Sequence, residues 1–347
     1  MDMDALKNRI NQRNDRYRRE LEDWYRQLIV GGYRERAAKA WHRDYSGIEG
    51  YERSVRRNRE RWRAILNPPD LSISGPLELE PVDGPGDLGA ACVRLPLSDG
   101  LRAEGILAAP KSEGRAPLIV AQHGIDSQPE HVFGLVDPEG AYHSFGRRLV
   151  EAGFAVLAPM NLFGGPPRGR ITRLAKLAGT TLPGLELVRM QRLLDAVLQR
   201  PDLDPERVGF WGLSLGGMAA QFWGPLEPRL RVIISAAWFN SRLNKMVISD
   251  PRYSCFLDTQ EEHAFIHGWL TEFCDSDLLS LVCPRPFMSQ TGKADGIAWW
   301  PQVVDEFNDL KRHYEQLGIG DRCVLDLHEG VHEVRLESGI EWLKRWL

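Results

Sequence analysis

The feature that most constrains this 347-residue chain is the run GLSLGG at 212–217. It follows an apolar stretch, RVGFWG at 207–212, and leads directly into a helix-forming run, MAAQF at 218–222. A chain that leaves a strand and enters a helix within two residues makes a sharp turn, with no room for side chains two positions before and after its apex. Gly212 and Gly216 hold those positions. The apex is Ser214, whose Oγ the turn presents at the strand end, over a helix N-terminus. G-x-S-x-G by itself is a weak signal, because both residue types are common. The strand before it and the helix after it make it specific.

The rest of the chain agrees with such a turn. Short apolar runs alternate with helical stretches from residue 118 onward: strands at 118–122, 154–158, 207–212, 232–236, 286–290 and 323–327, and helices near 141–152, 184–200, from 215, 301–317 and 335–346. Continuous apolar runs are the mark of parallel strands buried on both faces. Their alternation with helices predicts an α/β fold with a doubly wound, mostly parallel sheet. Ahead of it, 91–97 and 101–109 flank the turn Ser98–Gly100 and predict an antiparallel hairpin. The expected organisation is a helical N-terminal extension over 1–69 and a catalytic domain over 70–347. The roughly 50 residues between the strands at 232–236 and 286–290 exceed a simple connection and predict a cap or lid at about 238–284.

Charge and composition exclude several classes. The net charge is −4 and 27% of residues are charged, ordinary for a globular enzyme. No apolar run reaches the length of a membrane-spanning helix. The N-terminus shows no apolar signal core, so a cytoplasmic protein is expected. Residues 1–63 differ from the rest, with 17 basic and 11 acidic residues and interleaved Trp and Tyr. That pattern invites a nucleic-acid reading. The acids sit among the bases, however, so solvated helices anchored by aromatic residues are expected, near 3–30 and 49–66, with no nucleic-acid partner. Packing on the main body and a homodimer contact are the roles expected of this segment. The five cysteines are scattered and form no CxxC pair. Reduced, mostly buried thiols follow, with no zinc site.

A serine hydroxyl needs a general base, and in this topology the acid and then the histidine follow the serine in sequence. His332 lies in the loop between the last strand and the last helix and is better placed than His328, which borders the strand. Asp295 lies just past the preceding strand, whereas Asp305 falls inside a predicted helix. The expected triad is Ser214, Asp295 and His332. Oxyanion donors are expected from the backbone of Leu215, next to the nucleophile, and of Ile125, in the loop QHGID at 122–126. His123 in that loop is expected to bond nearby backbone, with substrate contact as the weaker alternative. Trp238, just past a strand end, and Trp299 and Trp300, just past Asp295, are candidates for the pocket wall. His263 and His267 have a metal-like spacing but lack a third ligand and the central glutamate of a zinc protease motif, so no metal is expected. Arg168 and Arg170, beside a Gly-Pro-rich loop at 164–169, read as surface arginines.

These segments carry a resemblance. AQHGI at 121–125, MQRLLDAV at 190–197, DPERVGFWGLSLGGMAA at 204–220, CPRPFMSQTGKADG at 283–296 and HEGVHEV at 328–334 resemble the α/β-hydrolases of the dienelactone-hydrolase and acetyl-xylan-esterase-like group with a helical N-terminal extension. The resemblance spans roughly residues 90–347. It implies hydrolysis of a small or medium ester through a serine triad and an acyl-enzyme, without a cofactor, a carbohydrate acetyl ester being one substrate. The chain departs from the group at Met160-Asn161, where many relatives carry an aspartate. An amide or peptide hydrolase of the same fold is the second reading and a non-catalytic binding protein the third.

Overall fold

The predicted alternation takes the form of one nine-stranded sheet in the computed structural model, which describes residues 3–82, 88–111 and 114–347. Four helices come first: α1 (Met3–Arg26), α2 (Tyr33–Ala40), α3 (Ile48–Ser54) and α4 (Arg56–Leu66). Strands β1 (Glu78–Pro81), β2 (Ala91–Pro96), β3 (Arg102–Ala108) and β4 (Ala116–Gln122) follow. The short α5 (Pro129–Val132) and α6 (Phe145–Glu151) lead to β5 (Ala155–Pro159), and α7 (Gly165–Leu177) and α8 (Leu182–Val197) to β6 (Leu203–Leu213). Then come α9 (Leu215–Trp223), β7 (Leu230–Ala236), α10 (Arg242–Val247), α11 (Asp275–Ser280), β8 (Phe287–Gly292), α12 (Trp300–Gln316), β9 (Cys323–His328) and α13 (Leu336–Trp346).

The strand order is β1-β2-β3-β5-β4-β6-β7-β8-β9. β1, β2, β3 and β5 pair antiparallel, and every pairing from β5 through β4 to β9 is parallel. The chain moves outward in one direction from β4 to β5 and in the other from β6 to β9. The crevice at the ends of β4 and β6 is therefore the switch point where ligands of open α/β sheets bind. β5 is buried along its whole length, and so are the last six residues of β6. One apolar cluster lies on each face of the sheet: Phe210, Phe222 and Phe287 belong to one, Trp211, Ile234 and Trp342 to the other.

Several boundaries differ from the sequence expectation for local reasons. The expected helix over 3–30 ends at Arg26, runs through a π-helical turn at Gln27–Gly31 and restarts at Tyr33. That over 49–66 is broken at Val55 (φ −92°, ψ 0°). The helix expected from 141 begins at Phe145, because His143 and Ser144 take left-handed backbone conformations. The Gly-Pro-rich segment at 164–169 opens α7, with its prolines in the first turn, where no amide hydrogen is needed. Arg168 is consequently not a surface residue. It is 1% exposed and forms a bidentate pair with Glu186 of α8, at 2.7 and 2.9 Å, and bonds the carbonyl of Leu162. β1 escaped prediction because all four of its residues are exposed, leaving no buried face to set a period.

The helical extension grips the segment between β7 and β8. Trp41 Nε1–H donates to the carbonyl of Glu272, Tyr51 Oη–H to that of Ser280, and Tyr33 Oη–H to the carboxylate of Asp277. Trp62 is fully buried against Phe222 and Phe273 and donates from Nε1 to the carbonyl of Phe222, on α9. The cysteines are free, and all but Cys92 are buried. Among the described residues, no helix is long and apolar enough to cross a membrane.

Truncating a fully buried tryptophan removes both its contacts and its hydrogen bond. Trp62→Ala is expected to cost about 3–5 kcal/mol in urea unfolding. Glu186→Gln, which leaves the Arg168 guanidinium buried without a counter-charge, is expected to cost about 3–5 kcal/mol in the same measurement. A loss below about 1 kcal/mol in either case would show that the site is not packed as described.

Candidate active site

Ser214 sits between β6 and α9 with φ +56° and ψ −114°. A non-glycine residue in that region is strained and persists only where its surroundings hold it. Its N–H donates to the carbonyl of Ala236 at the end of β7, and its own carbonyl accepts from Met218 in α9. The glycines make the turn possible by close backbone approach. A Cβ on Gly216 would lie 2.2 Å from the carbonyl oxygen of Gln122, and one on Gly212 2.2 Å from that of Gly216. Leu215 opens α9, so its N–H belongs to the first turn, whose donors have no carbonyl of their own helix.

β4 ends at Gln122, and the loop after it is fixed through backbone groups. His123 is fully buried. Its Nδ1 faces the carbonyl of Gly124 at 2.8 Å, and its Nε2 accepts the N–H of Asn161 at 3.0 Å. The two bonds define the neutral ring, with the proton on Nδ1. Burial pushes its pKa down to about 4. The Gly124 N–H donates to Tyr142 Oη at 2.7 Å. Asn161 thus meets the loop through its main chain, and His123 is a brace of that loop and does not line the cavity beside Ser214.

The remaining candidate residues lie in the loops after β8 and β9. His332 Nδ1 lies 2.8 Å from Asp295 Oδ2, and Asp295 Oδ1 accepts the N–H of Ile297 at 2.9 Å. The Asp295 side chain is 1% exposed and that of His332 30%. With Nδ1–H directed at the carboxylate, Nε2 of a neutral His332 is the basic nitrogen. The two loops are tied backbone to backbone: Lys293 N–H donates to His328 O and Ala294 N–H to Gly330 O. His328 closes β9 and accepts the Gly330 N–H on Nδ1. Asp305 is exposed on α12.

Ser214, His332, Asp295 and Ile125 share one cavity of about 170 Å³, at the switch point of the sheet. Trp238 forms part of its wall, packed edge-to-face on Phe256 and under the guanidinium of Arg242 at 4.2 Å. Trp299 and Trp300 lie outside it. Trp299 stacks under Arg252 at 3.7 Å, and Trp300 starts α12, 37% exposed. The segment Glu262–Ala264 is a single 3-10 turn, so His263 and His267 do not share a helix face; the former is buried and the latter exposed.

The polar wall of the cavity was missed from sequence. It includes Arg242, Lys245, Ser254 and Glu261. Arg242 is fully buried and paired bidentately with Asp275 at 2.9 and 3.0 Å. Lys245 donates to Ser254 Oγ at 2.7 Å and to the carbonyl of Ile297. Burial, with Arg242 beside it, pulls the Lys245 pKa down to about 8, and burial holds the Glu261 carboxyl above the usual range. No short motif joins these residues. Only the length of the segment between β7 and β8 marked it.

The neutral, buried His123 makes a pH prediction. Its folded pKa, about 4, lies below the ordinary 6.5. Between those values the unfolded chain binds a proton that the native ring excludes, so stability falls as pH drops through the window. The wild type is expected to lose about 3 kcal/mol between pH 6.5 and 4 beyond the loss shown by His123→Gln, in urea unfolding across that range. Parallel pH curves for the two proteins would contradict the assignment.

No family model matches the chain. It is 26% identical over 249 residues to YtaP of Bacillus subtilis (strain 168), which carries the name of a hydrolase; the match spans 68% of this chain and 81% of that protein. A glucuronoyl esterase from Solibacter usitatus superposes with a TM-score of 0.62 at 16% identity, covering 86% of this chain and 94% of its own. Acetyl xylan esterase 1 from Thermoanaerobacterium sp. JW/SL YS485 superposes with a TM-score of 0.53 at 19% identity, covering 83% and 93%. The mostly parallel sheet and these neighbours identify the fold as that of the α/β-hydrolases, the architecture shared with acetyl xylan and glucuronoyl esterases.

Proposed function

We propose that the protein is a carboxylic-ester hydrolase that acts through Ser214, His332 and Asp295 and forms an acyl-enzyme on Ser214. The observation that carries this reading is the shared cavity. The strained Ser214 turn and the hydrogen-bonded Asp295–His332 pair open onto the same 170 Å³ space. In the proposed mechanism His332 Nε2 takes the Ser214 proton as Oγ attacks the ester carbonyl. The backbone N–H groups of Leu215 and Ile125 hold the oxyanion. Collapse breaks the ester C–O bond, and the proton on His332 passes to the leaving alcohol. Water then repeats the sequence, releasing the acid and freeing Ser214. Asp295 orients the imidazole and stabilises its cationic form throughout.

Cavity size and polarity narrow the substrate. Ligand pockets for drug-sized molecules run to about 300–1,000 Å³, and this one is smaller. It suits an acetyl or similarly short acyl group. Lys245, Ser254 and Glu261 in its wall suit an alcohol rich in hydroxyls, such as a sugar. The esterases that share the fold have carbohydrate-linked names, which agrees with this choice.

The test is hydrolysis of p-nitrophenyl acetate, butyrate and octanoate, together with labelling by a fluorophosphonate. Ser214→Ala is expected to lose labelling and about 10⁵–10⁶-fold in kcat with an unchanged circular dichroism spectrum. Asp295→Asn is expected to lose about 10⁴-fold. Acetate is expected to be the best of the three esters. Equal activity of wild type and Ser214→Ala would sink the mechanism, and a preference for octanoate the small-acyl reading. Lys245→Met is expected to raise KM for an acetylated xylose about 10- to 100-fold, the worth of a charged hydrogen bond, and to leave p-nitrophenyl acetate turnover within a few-fold.

A further inference from the structure

The segment that precedes the sheet carries an exposed apolar surface that the candidate site does not use. α1 runs for 24 residues without one buried side chain. Most of the stability of a helix in a protein comes from packing an apolar face on something else, and α1 has such a face. Met3, Ile10, Tyr17, Leu21 and Trp24, with Leu28 in the π-helical turn beyond, are 38–64% exposed. With Lys7 and Asn14 between them, these residues recur at alternating steps of three and four, the seam of a coiled coil. A single asparagine in such a seam costs stability and specifies register. Tyr17 and Leu21 also form one wall of a groove of about 570 Å³, whose other wall is Val247, Leu257 and Phe265 of the segment between β7 and β8.

We propose that this surface is a homodimer interface, in which α1 pairs antiparallel with α1 of a second copy about a two-fold axis near Asn14 and Tyr17. Charge decides the direction. In a parallel pair, Lys7 would face the partner's Lys7 across the seam, and Arg13 would flank the partner's Arg18. In the antiparallel register, Met3 meets the partner's Leu28, Ile10 the partner's Leu21, and Asn14 the partner's Tyr17. Lys7 lies on the face of the partner's Trp24, a favourable cation–π arrangement. Arg13 flanks the partner's Glu20, and the symmetry makes that ion pair twice. Such pairing is isologous and closes at two copies. With Leu257 across the groove, the exposed apolar side chains offer roughly 800 Å² per copy, the standard size of a stable interface.

The test is the mass of the full-length protein by sedimentation equilibrium at tens of micromolar, wild type and variants, with helicity by circular dichroism and ester hydrolysis as controls for folding. The wild type is expected at twice the chain mass, and Leu21→Asp at the monomer mass with its activity retained. Arg13→Glu and Glu20→Arg are each expected to weaken the dimer about tenfold or more, and the double exchange to restore it. A monomeric wild type overturns the proposal, including one that instead retards a duplex oligonucleotide. A dimer that tightens on Arg13→Glu overturns the antiparallel register, because the parallel pair would then gain a salt bridge with Arg18. The mass measurement is independent of the esterase reading.

Discussion

The approach of Gly216 to the carbonyl of Gln122 is the contact on which the site depends. It brings the start of α9 against the end of β4 more closely than any side chain would permit. One end of that contact holds the turn bearing Ser214, and the other leads into the loop that carries Ile125. The relative placement of Ser214 and the candidate oxyanion donor is thus set by main-chain packing, which does not vary with rotamer. The left-handed backbone of Ser214, worth about 1–3 kcal/mol of strain, is held by the bond from its N–H to Ala236 at the tip of the neighbouring strand. Parallel pairing of β4, β6 and β7 supplies the fixed frame.

How much of this was legible depended on whether a residue's role follows from its neighbours in sequence. β4, β5 and the inner parts of β6 and β7 could be read because burial on both faces leaves an apolar run, whereas β8 and β9 carry Ser289, Gln290 and Asp326, and β9 is mostly half-buried. Ser214 could be read because the turn demands glycine at fixed offsets. Asp295 and His332 could be placed because each follows a strand by a few residues, and the structure joins them by a hydrogen bond. Arg168 could not be read. Its partner Glu186 lies on another helix, and nothing local to a Gly-Pro segment tells a buried guanidinium from an exposed one. The same holds for Arg242 and Asp275, for the wall formed by Lys245 and Glu261, and for Trp299, which met Arg252 and not the cavity. Chain proximity to Asp295 was a poor guide to spatial proximity there.

The N-terminal helices divide into two kinds. From Tyr33 to Leu66, buried aromatic side chains donate to the Asp277 carboxylate and to carbonyls of the main body, so this part is bound by hydrogen bonds shielded from water. α1 lacks such anchors: its Arg26 reaches the carbonyl of Val247, but no side chain of the helix is buried. A polar composition covers both. The difference lies in which aromatic residues find an acceptor on the main body, and composition is blind to that.

The Arg242–Asp275 pair sets how the wall of this cavity responds to substitution. Both side chains are fully buried, and Asp275 also accepts the N–H of Asn240. The guanidinium supports the Trp238 ring from behind. Replacing either partner alone strands a charge in a dry wall, a far larger penalty than replacing both together by apolar groups. Single substitutions at these two positions are therefore far more costly than the paired one. The two charges behave as one unit: the wall behind Trp238 tolerates their joint replacement and resists the loss of either alone.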